Sequence, residues 1–343
     1  MLGKPRSMIQ LLRLPLTELT PDVLADWAEL SCLFGSHRTL SGSVIADFLQ
    51  EELALDDAED FAVGGAGGAD EGISDEVEHE LRAASADALA EGLNPLSQTT
   101  ELVLRQLSYR EQVVGPNYPL TIGDFSVRRK SDWVERPSYP FLCLLNARVL
   151  YKRDWDFHEP ARLFEQVVAQ ALGKLVTGTA VRFGWPRLQD EPVEDFNTKV
   201  RQLARRMGED VGRMRNIGPD VKDYDLDVIA WKPFRDGKTP GQLVVVCQCA
   251  IGTDWSSKLL SVSSWQEVIA FNTTPVGALA FPLIPSRDPA LMFRWHDVTS
   301  KGNLPLDRLR LASLLDDDRL PPDLKDRLRA WIDDRIQELH IVN

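Results

Sequence analysis

The chain has 343 residues, 43% of them hydrophobic and 8% aromatic, which is enough apolar surface to offset the entropy of ordering and enough length for two domains. No window approaches the roughly 20 apolar residues of a membrane-spanning helix, and the opening MLGKPRSMIQLLRLPLTELT, broken by Arg13 and Pro15, has no signal-peptide pattern. A net charge of -13 argues against a polyanionic partner, but ten acids and no Lys or Arg fall between Asp56 and Glu80, so the rest of the chain carries only -3.

In chain order, residues 20 to 55 show helical spacing in two blocks (Val23, Leu24, Trp27, Leu30; then Val44, Ile45, Phe48, Leu49) behind caps at Thr20 and Ser41. The acidic, Gly-rich stretch at about 56–75 reads as a linker; its GGAGG run lacks the strand before and the GK[ST] after that a phosphate loop requires. Helices are expected at Glu76 to Gly92 and Ser97 to Val113, the second ending at Gly115-Pro116. The apolar run from Tyr139 to Tyr151 fits helix or strand. Residues 1–155 are thus expected to form a mainly helical N-terminal region.

From Glu159 the periodicity sharpens. EPARLFEQVVAQALGKLV carries apolar residues at 163, 164, 167, 168, 171, 172, 175 and 176, the stripe of an amphipathic helix with Pro160 near its start. TAVRFGW reads as a strand and residues 194 to 216 as a second amphipathic helix. YDLDVIAW and QLVVVCQCA follow as strands, then a helix at SSWQEVIAFN and a strand at VGALAFPLI. This α-β-(α)-β-β-α-β order defines a core over 156–285, and LPLDRLRLASLL and LPPDLKDRLRAWIDDRIQELHIV read as helices of a C-terminal extension over 286–343.

Three polar residues stand out in these apolar elements. Glu165 has Val168, Ala169 and Leu172 at i+3, i+4 and i+7, so its carboxylate projects among residues that face the core and needs a cation, a donor or a metal. Strand alternation sets Asp225 and Asp227 on one face, and sets Gln248 opposite Cys247 and Cys249. Two carboxylates and an amide oxygen form a donor set suited to Mg2+ or Mn2+, ions that lower the pKa of a bound water and screen a phosphodiester.

A helix with Glu, a strand, Asp-Val-Ile on the next strand and Gln on the third resembles the PD-(D/E)XK, or restriction-endonuclease-like, nuclease superfamily, nearest to its Mrr-like members. The resemblance implies an α/β fold with a mixed-sheet core and a Mg2+-dependent endodeoxyribonuclease, with Glu165, Asp227 and Gln248 as metal ligands. It further implies DNA as partner and a prokaryotic restriction or antiphage defence setting, with partner subunits or a homo-oligomer as further associations. The superfamily's Lys, two residues after the Gln, is replaced here by Ala250; Lys258 in GTDWSSKL is the nearest substitute. A nuclease-like module without catalysis, binding nucleic acid or scaffolding a larger complex, is the alternative.

Lys199, Arg201, Arg205, Arg206, Arg213 and Arg215 flank the apolar stripe Val200, Leu203, Met207, Val211 and Met214 of the helix read over 194 to 216, so Arg201, Arg205, Arg206 and Arg213 are candidate phosphate contacts. The five histidines are scattered, no zinc spacing or GxSxG occurs, and Cys247 and Cys249 read as core. The absence of CxxC pairs fits a reducing cytoplasm.

Overall fold

A computed structural model describes residues 20–35, 38–50, 95–130, 132–151, 155–184, 195–213, 224–236, 239–252, 254–258, 260–285 and 293–340. The linker read at about 56–75, the helix read over Glu76 to Gly92, and Met214 and Arg215 lie outside them. The chain divides into two units, one of Met1–Trp133, Leu150–Lys152 and Ile336–Asn343, the other of Val134–Val149 and Arg153–Arg335.

In the first unit, α1 (Pro21–Phe34) starts where Thr20 Oγ1 accepts the Val23 N–H at 3.3 Å, with Pro21 in the first turn where its missing donor costs nothing. Helix also begins after Ser41, whose Oγ accepts from Val44 N. α2 (Pro95–Val114) ends at Gly115, whose φ of 68° is open to glycine at little cost. Strands β1 (Thr39–Ser41), β2 (Leu120–Gly123) and β3 (Ser126–Arg129) form an antiparallel sheet in the order β1-β3-β2. Arg110 of α2 is buried against α1. Its Nη1 donates to Asp26 at 2.7 Å and Glu29 at 2.9 Å, and Tyr118 Oη donates to Glu29 Oε1 at 2.6 Å. Charges removed from water in this way persist only when paired and hydrogen-bonded.

The second unit is mixed α/β. Its apolar run at 139–151 is helical, α3 (Ser138–Leu150), and α4 (His158–Leu175) buries Leu163, Phe164, Val167, Val168, Ala171 and Leu172. Strands β4 (Thr179–Arg182), β6 (Val228–Lys232), β7 (Leu243–Cys249), β9 (Val276–Ala280) and β10 (Asn303–Leu306) make a mixed sheet in the order β10-β9-β7-β6-β4. β4, β6 and β7 pair antiparallel, whereas β9 pairs parallel with β7 and with β10. α4 packs against β4, β6 and β7. A second hydrophobic cluster joins Ile229, Trp231, Val244 and Val246 of the sheet to α5 (Phe196–Met207) and to Trp265 of α6 (Val262–Val268).

Several elements differ from the reading of the sequence. α5 stops at Met207 instead of running to 216, because Gly208 adopts the left-handed conformation (φ 76°) that caps a helix and the chain turns into β5 (Asp210–Val211), paired with β8 (Ile269–Ala270). The strand expected from Tyr224 begins at Val228, since Tyr224 and Asp225 have φ of 53° and 62°; the alternation that put Asp225 beside Asp227 does not reach it, and Asp225 is exposed. The C-terminal stretch supplies α7 (Phe293–Ser300), α8 (Arg308–Leu314) and α9 (Pro322–His340), but NLPL before α8 is the edge strand β10. Pro305 is tolerated there because an edge strand has one unpaired side.

Candidate functional site

The carboxylate of Glu165, 5% exposed on the sheet-facing side of α4, meets a cation from the adjacent strand: Arg182 Nε lies 2.6 Å from its Oε2, and the Arg182 side chain is also 5% exposed. Arg182 stands opposite Val228 in the β4–β6 ladder, one residue from Asp227. Here the ladder departs from regular pairing. Phe183 N and Gly184 N both donate to Asp227 O, at 2.7 and 3.1 Å, which sets two residues against one as in a β-bulge.

Asp227 Oδ2 accepts the backbone N–H of Cys249 at 2.7 Å, leaving Oδ1 directed at Gly184. A Cβ placed on Gly184 would stand 2.6 Å from Glu165 Oε2 and 2.9 Å from Asp227 Oδ1, closer than real Cβ contacts come. The missing side chain of Gly184 is therefore what leaves room for the two carboxylates to approach one another at the end of the sheet.

Cys249 shares this neighbourhood. Burial pushes its thiol well above the ordinary value of 9.0, and Cys247, Asp227 and Glu165 add to the push, so it is a neutral thiol. All four cysteines are free.

Gln248 continues the β7 alternation of Val244 and Val246, which lie in the cluster with α5 and Trp265. It is half-buried, its Oε1 is shielded from solvent without a hydrogen-bond partner among the described residues, and it makes no hydrogen bond to Glu165 or Asp227. Ala250, where the resemblance expects Lys, is fully buried with its N–H donating to Ala280 O. Lys258 caps the 3-10 turn Trp255–Ser257, is half-buried and forms no ion pair among the described residues. Trp255 is a packing residue, stacked on Phe281 at 4.1 Å between ring centroids.

Among the described residues no three His, Cys, Asp or Glu side chains are grouped to hold a metal ion. The fit to a divalent cation therefore rests on two carboxylates facing one gap, the space that a Cβ at Gly184 would fill. One or two carboxylates with water completing the shell is the set that Mg2+ takes.

Sequence reasoning missed Arg182. The available signal was an Arg in phase with Ala180 on a short strand directly after the Glu165 helix.

On α5, Asp195 caps the N-terminus by accepting from Thr198 N and Oγ1, contacts that hold its carboxyl below the usual range. Arg201, Arg205 and Arg206 are exposed, with Arg206 Cζ 5.3 Å from the centroid of the Trp231 ring. Arg213 is exposed too, but it lies beyond β5 and not on the helix. Glu209, just past the end of α5, is buried and accepts from Gly241 N, Asn272 N and Asn272 Nδ2, tying three loops together. Among the described residues no helix is long and apolar enough to cross a membrane.

Comparison with known proteins adds no relative: no protein-family model, no curated protein and no solved structure matches the chain.

Proposed function

We propose that the protein is a metal-dependent nuclease that cleaves DNA phosphodiester bonds, built on a restriction-endonuclease-like core. The observation that carries this reading is the approach of Glu165 Oε2 and Asp227 Oδ1 to the same point beside Gly184. The antiparallel β4-β6-β7 meander with a parallel β9 supports it, because that order sets the helix Glu and the strand Asp at one end of the sheet. A setting in prokaryotic restriction or antiphage defence follows from the resemblance alone.

In this reading Asp227 Oδ1 and Glu165 would hold Mg2+ or Mn2+, with Gln248 as a further oxygen donor. The bound ion would supply an activated water and screen the phosphate. The Cys249 N–H fixes which Asp227 oxygen points inward, and such orientation of a ligand by its neighbours sustains affinity. Arg201, Arg205, Arg206 and Arg213 would contact backbone phosphates, contacts that position the duplex without reading its sequence.

The test is cleavage of plasmid DNA, single-stranded DNA and RNA with Mg2+ or Mn2+, comparing wild type with Asp227→Ala and Lys258→Ala. Metal-dependent cutting of DNA lost in Asp227→Ala supports the nuclease, and its additional loss in Lys258→Ala assigns Lys258 to the site. No cutting by wild type, with nucleic-acid binding unchanged in all three proteins, overturns it.

A second reading is a nuclease-like subunit that binds nucleic acid or scaffolds a complex without catalysis. Ala250 in place of the superfamily Lys, together with a Lys258 that pairs with neither carboxylate, favours it.

A further inference from the structure

We infer that Arg182 is a built-in countercharge that competes with the divalent cation for the Glu165–Asp227 pair and so sets the metal affinity of the site; the inference rests on the metal-centre reading above. The geometry turns on one atom. Glu165 Oε2 is the oxygen that Arg182 Nε contacts at 2.6 Å, and it is also the oxygen that stands beside Gly184 opposite Asp227 Oδ1. A cation shared by Oε2 and Oδ1 must therefore divide Oε2 with the guanidinium or displace it.

Both partners are withdrawn from water, with side-chain exposures of 5% for Arg182 and 7% for Glu165, so their interaction is screened far less than a surface pair. Without a metal, Arg182 sets a positive charge against the buried Glu165 carboxylate at the point where the half-buried Asp227 also approaches. With a metal, the same charge repels the incoming ion. At 5% exposure Arg182 does not reach a substrate; it is a positioning residue that acts through Glu165.

Ala250 leaves the position of the superfamily Lys without a cation, and Lys258 forms no ion pair among the described residues. Arg182 brings a positive charge to this site from the strand next to Asp227, a different direction from the third strand, while Lys199 Nζ donates to the neighbouring Phe183 O at 3.0 Å.

The experiment measures Mn2+ binding by calorimetry, and thermal unfolding with and without Mn2+, for the full chain as wild type, Arg182→Gln and Arg182→Ala. Arg182→Gln keeps a polar side chain beside Glu165 and removes the charge, so the metal-free protein should melt lower while Mn2+ binds about tenfold more tightly and raises the midpoint further than in wild type. In Arg182→Ala, added methylguanidinium should weaken Mn2+ binding toward the wild-type value and leave wild type unchanged. A merely structural clamp predicts the reverse, with Mn2+ affinity in both variants equal to or below wild type, and that result overturns the inference while leaving the metal centre standing. Absence of Mn2+ binding in wild type and both variants removes the metal centre and the inference together.

Discussion

Asp227 Oδ2 and the backbone N–H of Cys249 lie 2.7 Å apart, so one carboxylate oxygen is committed to the neighbouring strand and the other is aimed across Gly184 at Glu165. Charge and hydrogen bonding can be separated here. Asp227→Asn, with its amide oxygen on the Cys249 N–H, should unfold close to wild type while metal-dependent cleavage falls to background. Asp227→Ala also strands that N–H and should lose about 1–3 kcal/mol. Chemical denaturation alongside the cleavage assay checks both; cleavage retained by Asp227→Asn would remove the charge from the argument.

Gly184→Ala is the most local probe of the gap. The new methyl would meet Glu165 Oε2 and Asp227 Oδ1 at less than 3 Å, and both atoms belong to groups already held, by Arg182 and by Cys249 N–H. Relief requires moving a carboxylate, so the variant should be destabilised by about 1–3 kcal/mol and lose Mn2+ binding. Wild-type binding in a folded Gly184→Ala would show that the ion, if bound, sits elsewhere.

Arg110 is 1% exposed and satisfies both Asp26 and Glu29. Replacing it with Met keeps much of the volume but removes the guanidinium that both carboxylates contact in a dry place. A loss of about 3–5 kcal/mol is expected, because breaking a buried ion network by removing one partner costs more than the network contributes. Urea denaturation with a signal from the first unit reads it, and a loss below about 1 kcal/mol would show that water reaches these groups.

Asp317 makes a pH-dependent contribution of opposite sign to an ordinary ion-paired carboxylate. Burial raises its pKa above the usual 3.8, against hydrogen bonds from Ser138 N and Oγ to its Oδ1 that lower it. A folded pKa above the unfolded one means the folded state binds the proton more tightly, so the contribution to stability is full below the unfolded value and is lost as pH rises through the folded value. Asp317→Asn retains an oxygen for both Ser138 donors. The variant should be as stable as wild type or more so at pH 7 and should show a flatter dependence above pH 3.8. Unfolding curves from pH 3 to 8 decide it, and a variant less stable than wild type at pH 7 refutes it.

Local periodicity carried much of the fold. The stripe from Leu163 to Leu172 made α4 legible because a helix repeats its buried face every 3.6 residues, and short apolar runs did the same for β6, β7 and β9. Thr20 announced α1 through a side chain that answers an orphaned N–H. The cap at Gly208 was available in the same way, yet the basic residues continuing past it suggested a longer helix. α3 could not be assigned from pattern because residues 139–147 are nearly all buried, and an element hidden on every side has no polar face to mark its period.

By itself the sequence determined the order α4-β4-α5-β6-β7-α6-β9 and the oddity of Glu165 and Asp227, since a carboxylate in an apolar repeat is conspicuous wherever the chain goes. Only the tertiary structure decided what those carboxylates meet. Arg182 reaches Glu165 because β4 lies beside β6 under α4, the gap exists because Gly184 has no side chain, and Asp227 turns inward because a bulge breaks the ladder at that residue. The edge strand β10 and the Arg110 network have the same origin: each depends on a partner distant in sequence, and pairing across such a distance leaves no local period to read.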